Sequence, residues 1–307
     1  MKIWKKTAGA VLALTIALQG GAAFQSAHAA AAAASVTAQS PQSVYNEFER
    51  LVKSPSTLGR AVSYLINHID EVTAYQATVM TLHLENAQKL YINKLAERFY
   101  AGKIQMNIDA AYRAKGGTYS GLLSAVKDSA TRKVLTDARD TGFKVETSEG
   151  MYYPEINYAV YQSFKAYVTK DIQAYITIMT AESNKRALND AAIVVGWDEI
   201  AKRALRQEAF LYSYPSSNRK AAVLNLYRNY KMTVFYGSNN TPLFDYDTLK
   251  FKAEALTAYK AILDDKNIPN TGLKQKLQLF VDVVEKNNGK RTAEVDGWLK
   301  EQVAVSS

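Results

Sequence analysis

The chain has 307 residues, with 38 lysines and arginines against 29 acidic residues for a formal charge of +9, 48% hydrophobic residues and no cysteine. That length holds one large or two modest domains, and the apolar fraction is that of a globular protein. The missing cysteines exclude structural disulfides, thiolate metal sites, cysteine nucleophiles and a cysteine-linked lipid anchor.

Residues 1–29 read as a secretory signal. Lys2, Lys5 and Lys6 precede a short apolar core, Thr7–Leu18, and Ala27-His28-Ala29 supplies a small-x-small cleavage pattern. The core is too short for a relaxed membrane span. The expected product starts near Ala30, is secreted, keeps no stable membrane insertion, and carries +6 once the three signal lysines are gone. Residues 30–42 open on alanines and have little to bury, which predicts a disordered spacer.

From Ser43 the apolar residues recur at helical spacing. Val44, Phe48, Leu51 and Val52 share one face; Ser54-Pro55-Ser56 breaks the pattern, with Ser56 as expected cap of a helix through Leu65. One long helix is expected from an Asp70 cap to Tyr100, then further helices over Lys103–Ala114 and Tyr119–Arg139, with Gly142 closing an N-terminal helical region at 43–142. The C-terminal helical region, 143–307, forms a second domain or one domain with the first. It opens on a change of period: FKVET alternates, SEG turns and MYY follows, which predicts a small β-hairpin near 143–153. Helices are then expected over Glu155–Val168, Lys170–Ala181 and the apolar run Ala191–Val195.

The strongest pattern spans Gly196–Gly237. Trp197, Ile200, Ala201, Ala204, Leu205, Ala209 and Tyr212 stripe one helix, and Val223, Leu226, Tyr227, Tyr230 and Val234 stripe a second. Tyr214-Pro215 ends the first, because a residue before proline avoids helical dihedrals. Ser216, Ser217 or Asn218 is the expected cap of the second, and Gly237 its end. After the loop SNNTPLFDYDT come helices over Phe251–Leu263, from Asn270 or Thr271, and from a Thr292 cap. The fold class is therefore all-α, a multi-helix bundle or irregular helical-repeat-like stack of about ten to twelve helices.

Chemistry-bearing motifs are sparse. Beyond the signal only His68 and His83 remain, without metal-ligand spacing; there is no nucleophile elbow, phosphate loop or dinucleotide fingerprint, so no metal and no cofactor are expected. Export and the lack of a recognition motif argue against nucleic acid. Glu149, beside Tyr152 and Tyr153, is the candidate catalytic carboxylate, since aromatics desolvate an acid and stack on sugars; its alternative is a hairpin turn at Glu149-Gly150. Tyr152, Tyr153, Tyr158, Tyr161, Tyr236 and Tyr246 are the candidate ligand-binding groove, against an aromatic core as the plain reading. Arg203, Arg206, Arg219, Lys220, Arg228 and Lys231 form a candidate basic patch, against a solvated face. Asp245 and Asp247 flank Tyr246 as a candidate calcium or glycan site, against turn chemistry.

The YPSS turn following EAFLYSYP resembles the helix-turn-helix of tetratricopeptide-type proteins of bacterial envelopes, though without their thirty-four-residue repeat. The block Glu149–Tyr246, with EGMYYPEINY, WDEIAKRAL, YPSS, NNTP and FDYD, is similar to uncharacterised exported all-helical proteins of Gram-positive bacteria. That resemblance implies an all-helical fold and carries no activity. The expected function is a secreted, non-catalytic binding or scaffold protein of the cell envelope, recognising a protein partner or an anionic wall polymer. A peptidoglycan-active glycosidase and a calcium- or glycan-binding module are the alternatives.

Overall fold

A computed structural model describes residues 39–303, so the expected signal and nearly all of the expected spacer lie outside the described residues. The described residues cluster as one compact unit. The described part is an all-α, multi-helix bundle with three small two-stranded hairpins. No helix among the described residues is long and apolar enough to cross a membrane.

The N-terminal helices are α1 (Pro41–Val52), α2 (Leu58–His68), α3 (Ala74–Phe99), α4 (Ile104–Lys115), α5 (Tyr119–Ala125) and α6 (Ser129–Asp140). Short polar side chains start most of them. Ser40 caps α1, Thr118 caps α5, Asp128 caps α6, and Thr73 forms a reciprocal capping box with Gln76 on α3. Such a cap satisfies orphan N–H groups and stabilises by about 1 kcal/mol. The long helix therefore begins at Thr73 and not at Asp70, which lies in a separate 3-10 turn, Ile69–Glu71. Thr57, not Ser56, precedes α2, while Ser54 caps the intervening turn.

The expected hairpin is present and longer than its sequence signal. β1 (Phe143–Ser148) pairs antiparallel with β2 (Met151–Ile156), Phe143 opposite Ile156 and Ser148 opposite Met151. The turn residues Glu149 and Gly150 both have positive φ, 51° and 76°, as the two-residue turns that match strand twist require. Pro154 is tolerated because a strand in a two-stranded ribbon always has a free edge. The helix expected over Glu155–Val168 thus gives way to strand up to Ile156, followed by the single turn α7 (Tyr158–Tyr161).

α8 (Lys170–Asn184) leads to a second departure: Ala191–Val195 is no helix. β3 (Leu188–Asn189) pairs with β4 (Ala192–Ile193) around Asp190 and Ala191, both at positive φ. α9 (Trp197–Ser213) and α10 (Lys220–Tyr236) follow as the expected antiparallel pair. The loop after them contains the third hairpin, β5 (Gly237–Ser238) with β6 (Thr241–Pro242). The Asn240 side chain donates to the Asp190 carbonyl at 2.6 Å, tying the third hairpin to the second. α11 (Ala253–Asp264), α12 (Gly272–Lys286) and α13 (Ala293–Gln302) complete the chain, with Thr271 and Thr292 capping the last two as expected.

Two hydrophobic clusters fill the interior. One is built from α1 to α8 and the first hairpin, around Phe48, Phe99, Phe143, Tyr161 and Phe164. The other is built from α9 to α13, around Trp197, Phe235, Tyr259 and Phe280. The α9–α10 pair belongs to both. Phe210 and Val223, beside its turn, enter the first cluster, whereas Ile200, Ala204 and Val234, towards its open end, enter the second.

Candidate functional site

Three helices distant in sequence converge with polar edges. α3 presents Tyr91, Lys94 and Arg98 at steps of three and four, which align on one helical face. α2 presents Gly59, Arg60 and Ser63, and α6 presents Lys133, Asp137 and Asp140, at the same steps. Together they line a groove of ≈ 790 Å³. α2 and α6 are in van der Waals contact beside it: a β-carbon on Gly59 would sit 3.4 Å from the Asp140 carbonyl oxygen. A smaller hollow of ≈ 140 Å³, lined by Lys53, Leu58 and Leu90, shares Pro55, Tyr91 and Lys94 with the groove and extends it.

The groove is electropositive. Lys53, Arg60, Lys94, Arg98 and Lys133 face two carboxylates, Asp137 and Asp140. Arg98 lies 2.6 Å and Lys133 3.0 Å from Asp137, while Arg139 takes Asp140 at 2.8 Å. Burial acts to raise the Asp137 pKa, but hydrogen bonds from Arg98 and Lys133 outweigh it and hold the carboxyl below its usual range. Arg98 also donates to the Tyr91 hydroxyl at 3.2 Å, which fixes its orientation along the floor. Among the described residues Lys53, Arg60 and Lys94 have no ion-pair partner within 4.0 Å. The arrangement offers uncommitted cations flanking an aromatic floor, and it contains no nucleophile–base pair.

A second polar cluster is sealed in the interior. Glu85 on α3 is 1% exposed and accepts hydrogen bonds from the hydroxyls of Tyr158 and Tyr175. Arg219 reaches the same carboxylate at 2.6 Å and Lys89 at 2.7 Å. Arg219 further donates to the Asn86 side chain at 2.9 Å and lies over the Tyr175 ring, 5.7 Å from its centroid. Gln88, one turn on, receives the Tyr161 hydroxyl and donates to the Thr141 carbonyl at 2.8 Å. This cluster fastens the α9–α10 turn to α3, and Ser217 adds a 2.6 Å bond to Asp171 on α8. Ser217 also accepts from the Arg219 backbone at 3.3 Å, the nearest thing to the expected cap.

The residues singled out by sequence are placed as follows. Glu149 is exposed at the tip of the first hairpin, where its backbone makes the turn. Tyr152, Tyr158 and Tyr161 are buried and do not line an open groove. Tyr153 stacks with Arg186, Tyr236 is half-buried, and Tyr246 is exposed with its hydroxyl on the Asn239 carbonyl. The structure therefore does not bring the six tyrosines to one surface.

The basic patch divides in the same way. Arg206, Lys220 and Arg228 are exposed and Lys231 is half-buried, whereas Arg203 is 4% exposed between Glu199 and Glu182, and Arg219 is committed to Glu85. Asp245 closes a turn, accepting from the Asp247 and Thr248 N–H groups and the Thr248 hydroxyl. No group of three or more metal-ligating side chains is found among the described residues. His68 and His83 each lie 2.7 Å from a glutamate, Glu71 and Glu49.

The groove residues were not singled out by sequence. Each of its helices carries its cations off the apolar stripe, which is the ordinary pattern of a solvated face; only the tertiary convergence of 53–63, 91–98 and 133–140 distinguishes them. No protein-family model matches the chain, and no curated protein or solved structure matches it either.

Proposed function

We propose that this chain is a secreted, non-catalytic binding protein of the bacterial cell envelope that holds an anionic polymer, such as a wall polyol phosphate, along the groove between α2, α3 and α6. The observation that supports this reading is the row of Lys53, Arg60 and Lys94, without ion-pair partners among the described residues, flanking Tyr91 and Arg98. A polyanion gains by releasing its condensed counterions into solution as such a row replaces them, and a continuous groove suits a chain better than a single anion.

The test is a titration of fluorescently labelled polyglycerol phosphate by anisotropy at several salt concentrations. The wild type is expected to bind with an affinity that falls steeply with salt. Arg60→Ala/Lys94→Ala should weaken binding roughly tenfold at low salt and flatten the log–log salt slope by about 0.7 for each phosphate that is no longer neutralised. Unchanged affinity and slope in that variant would reject the groove as the binding site.

A further inference from the structure

A second cavity, of ≈ 300 Å³, lies where the end of α8 meets α9, α10 and the first hairpin. It shares no lining residue with the basic groove. That volume is at the lower end of small-ligand sites. Ile200, Leu226, Ala187 and Leu188 give it apolar walls, and Glu155, Glu182, Arg186 and Tyr230 give it a polar edge.

The hydrogen-bonding capacity left over on that edge decides what fits. Arg186 is committed: it lies 2.7 Å from Glu155 and 3.5 Å from Glu146, donates to the Tyr153 hydroxyl, and sits 5.1 Å over that ring. Arg203, behind the cavity, is held by Glu199 at 2.8 Å. The Tyr230 hydroxyl donates to Glu182 Oε2 at 2.5 Å and accepts from Arg203 at 3.2 Å. Glu182 is the group left short. Its Oε2 has Tyr230 and only a 3.3 Å approach from Arg203, and its Oε1 accepts from nothing. Burial pushes the Glu182 carboxyl above its usual range, and Tyr230 and Arg203 do not fully offset this.

The Asn229 amide on the lining is a neutral donor without a side-chain partner among the described residues, but the cation there, Arg186, is committed and two carboxylates stand beside it. An anion is therefore disfavoured, whereas a ligand that brings its own charged donor supplies what Glu182 lacks. Oε1 is shielded in the wall, so an ammonium meets the carboxylate from the Oε2 side, where Tyr230 and the long Arg203 contact are its partners among the described residues. We propose that this cleft binds a primary ammonium group on a short apolar stem, with Glu182 as its counter-ion and Ile200 and Leu226 against the stem.

The test is isothermal titration of the full secreted chain with n-butylammonium chloride, n-butanol and sodium butyrate, three probes of one shape and different charge. Butylammonium is expected to bind at least about tenfold more tightly than butanol, a difference of about 1.4 kcal/mol, and butyrate more weakly than both. Glu182→Gln should erase the preference for the amine while leaving the butanol affinity in place. Leu226→Trp, checked for native helicity by circular dichroism, should abolish binding of all three by filling the cleft. A blocked tripeptide with a central lysine separates two sources of the same chemistry. Binding like that of the free amine assigns a partner's lysine side chain; binding of the free amine alone assigns a diffusible ligand. Equal affinities for amine and alcohol, preference for butyrate, or no binding of butylammonium overturns the proposal. Arg60→Ala/Lys94→Ala should bind the amine normally, which keeps this outcome separate from that of the groove.

Discussion

Replacing Glu85 by alanine should be among the most damaging single changes outside the apolar core. The substitution removes the acceptor of two buried tyrosine hydroxyls and the counter-ion of Arg219, whose side chain is 12% exposed. Breaking a buried pair by deleting one partner costs about 3–5 kcal/mol, because the remaining charge stays in place without compensation. Arg219 keeps the Asn86 side chain and the Leu82 carbonyl, which places the loss towards the lower part of that range. Lys89 is half-exposed and regains water, so its loss adds little. We expect about 3–4 kcal/mol for Glu85→Ala, and less for Glu85→Gln, whose amide oxygen still accepts a hydroxyl.

The pH dependence gives an independent reading of the same group. Burial raises the Glu85 pKa, but the Arg219 charge and the bonds from Lys89, Tyr158 and Tyr175 outweigh it, so the folded-state value is depressed. A depressed carboxylate contributes stability that is complete above the unfolded-state pKa, about 4.3, and is lost as pH falls through the folded-state value. Urea unfolding followed by circular dichroism from neutral pH down into that acid window measures both effects. Glu85→Gln should lower stability at neutral pH and remove part of the acid-induced decline. A Glu85→Ala loss below about 1 kcal/mol, the range of an exposed ion pair, would refute the reasoning.

Glu182 should behave in the opposite sense. Its pKa is raised, chiefly by burial, so the folded state favours the protonated form and stability falls as pH rises from the unfolded-state value through the folded one. Glu182→Gln should therefore be neutral or stabilising at pH 7, measured by the same urea titration, and a large destabilisation there would contradict the assignment. Gly142→Ala places a side chain at φ +80°, with its β-carbon 2.5 Å from the Gln88 amide nitrogen. Because Gln88 is held by Thr141 and Tyr161, relief is difficult, and thermal unfolding should show a loss of at least about 1 kcal/mol; an unchanged midpoint would contradict both the backbone strain and the Gln88 contact.

What could be read from the sequence was local. The stripes of α9 and α10, the caps Thr271 and Thr292, and the alternation around Glu149-Gly150 are short-range signals, and the corresponding elements are present. Ala191–Val195 was ambiguous by nature, since a run of five apolar residues is compatible with strand and helix alike. The turn falls on Asp190 and Ala191, both at positive φ, with Asn189 paired to Ala192, and an aspartate tolerates that conformation. Arg203 and Arg219 look like surface cations in any window of sequence. Arg203 is buried and Arg219 largely so, and their partners Glu182 and Glu85 stand 21 and 134 positions away, outside any local window. The groove has the same character: its parts are ordinary solvated faces until three helices meet.

The division of labour along α9 and α10 bears on how the molecule comes apart. One end of this pair is rooted in each hydrophobic cluster, so neither half of the chain owns a self-sufficient interior. A fragment ending before Trp197 would leave the seats of Phe210 and Val223 empty, and one starting there would carry those residues bare into water. Partial melting that spares either side is thereby penalised, and the pair works as a clasp that makes loss of one interior loss of both.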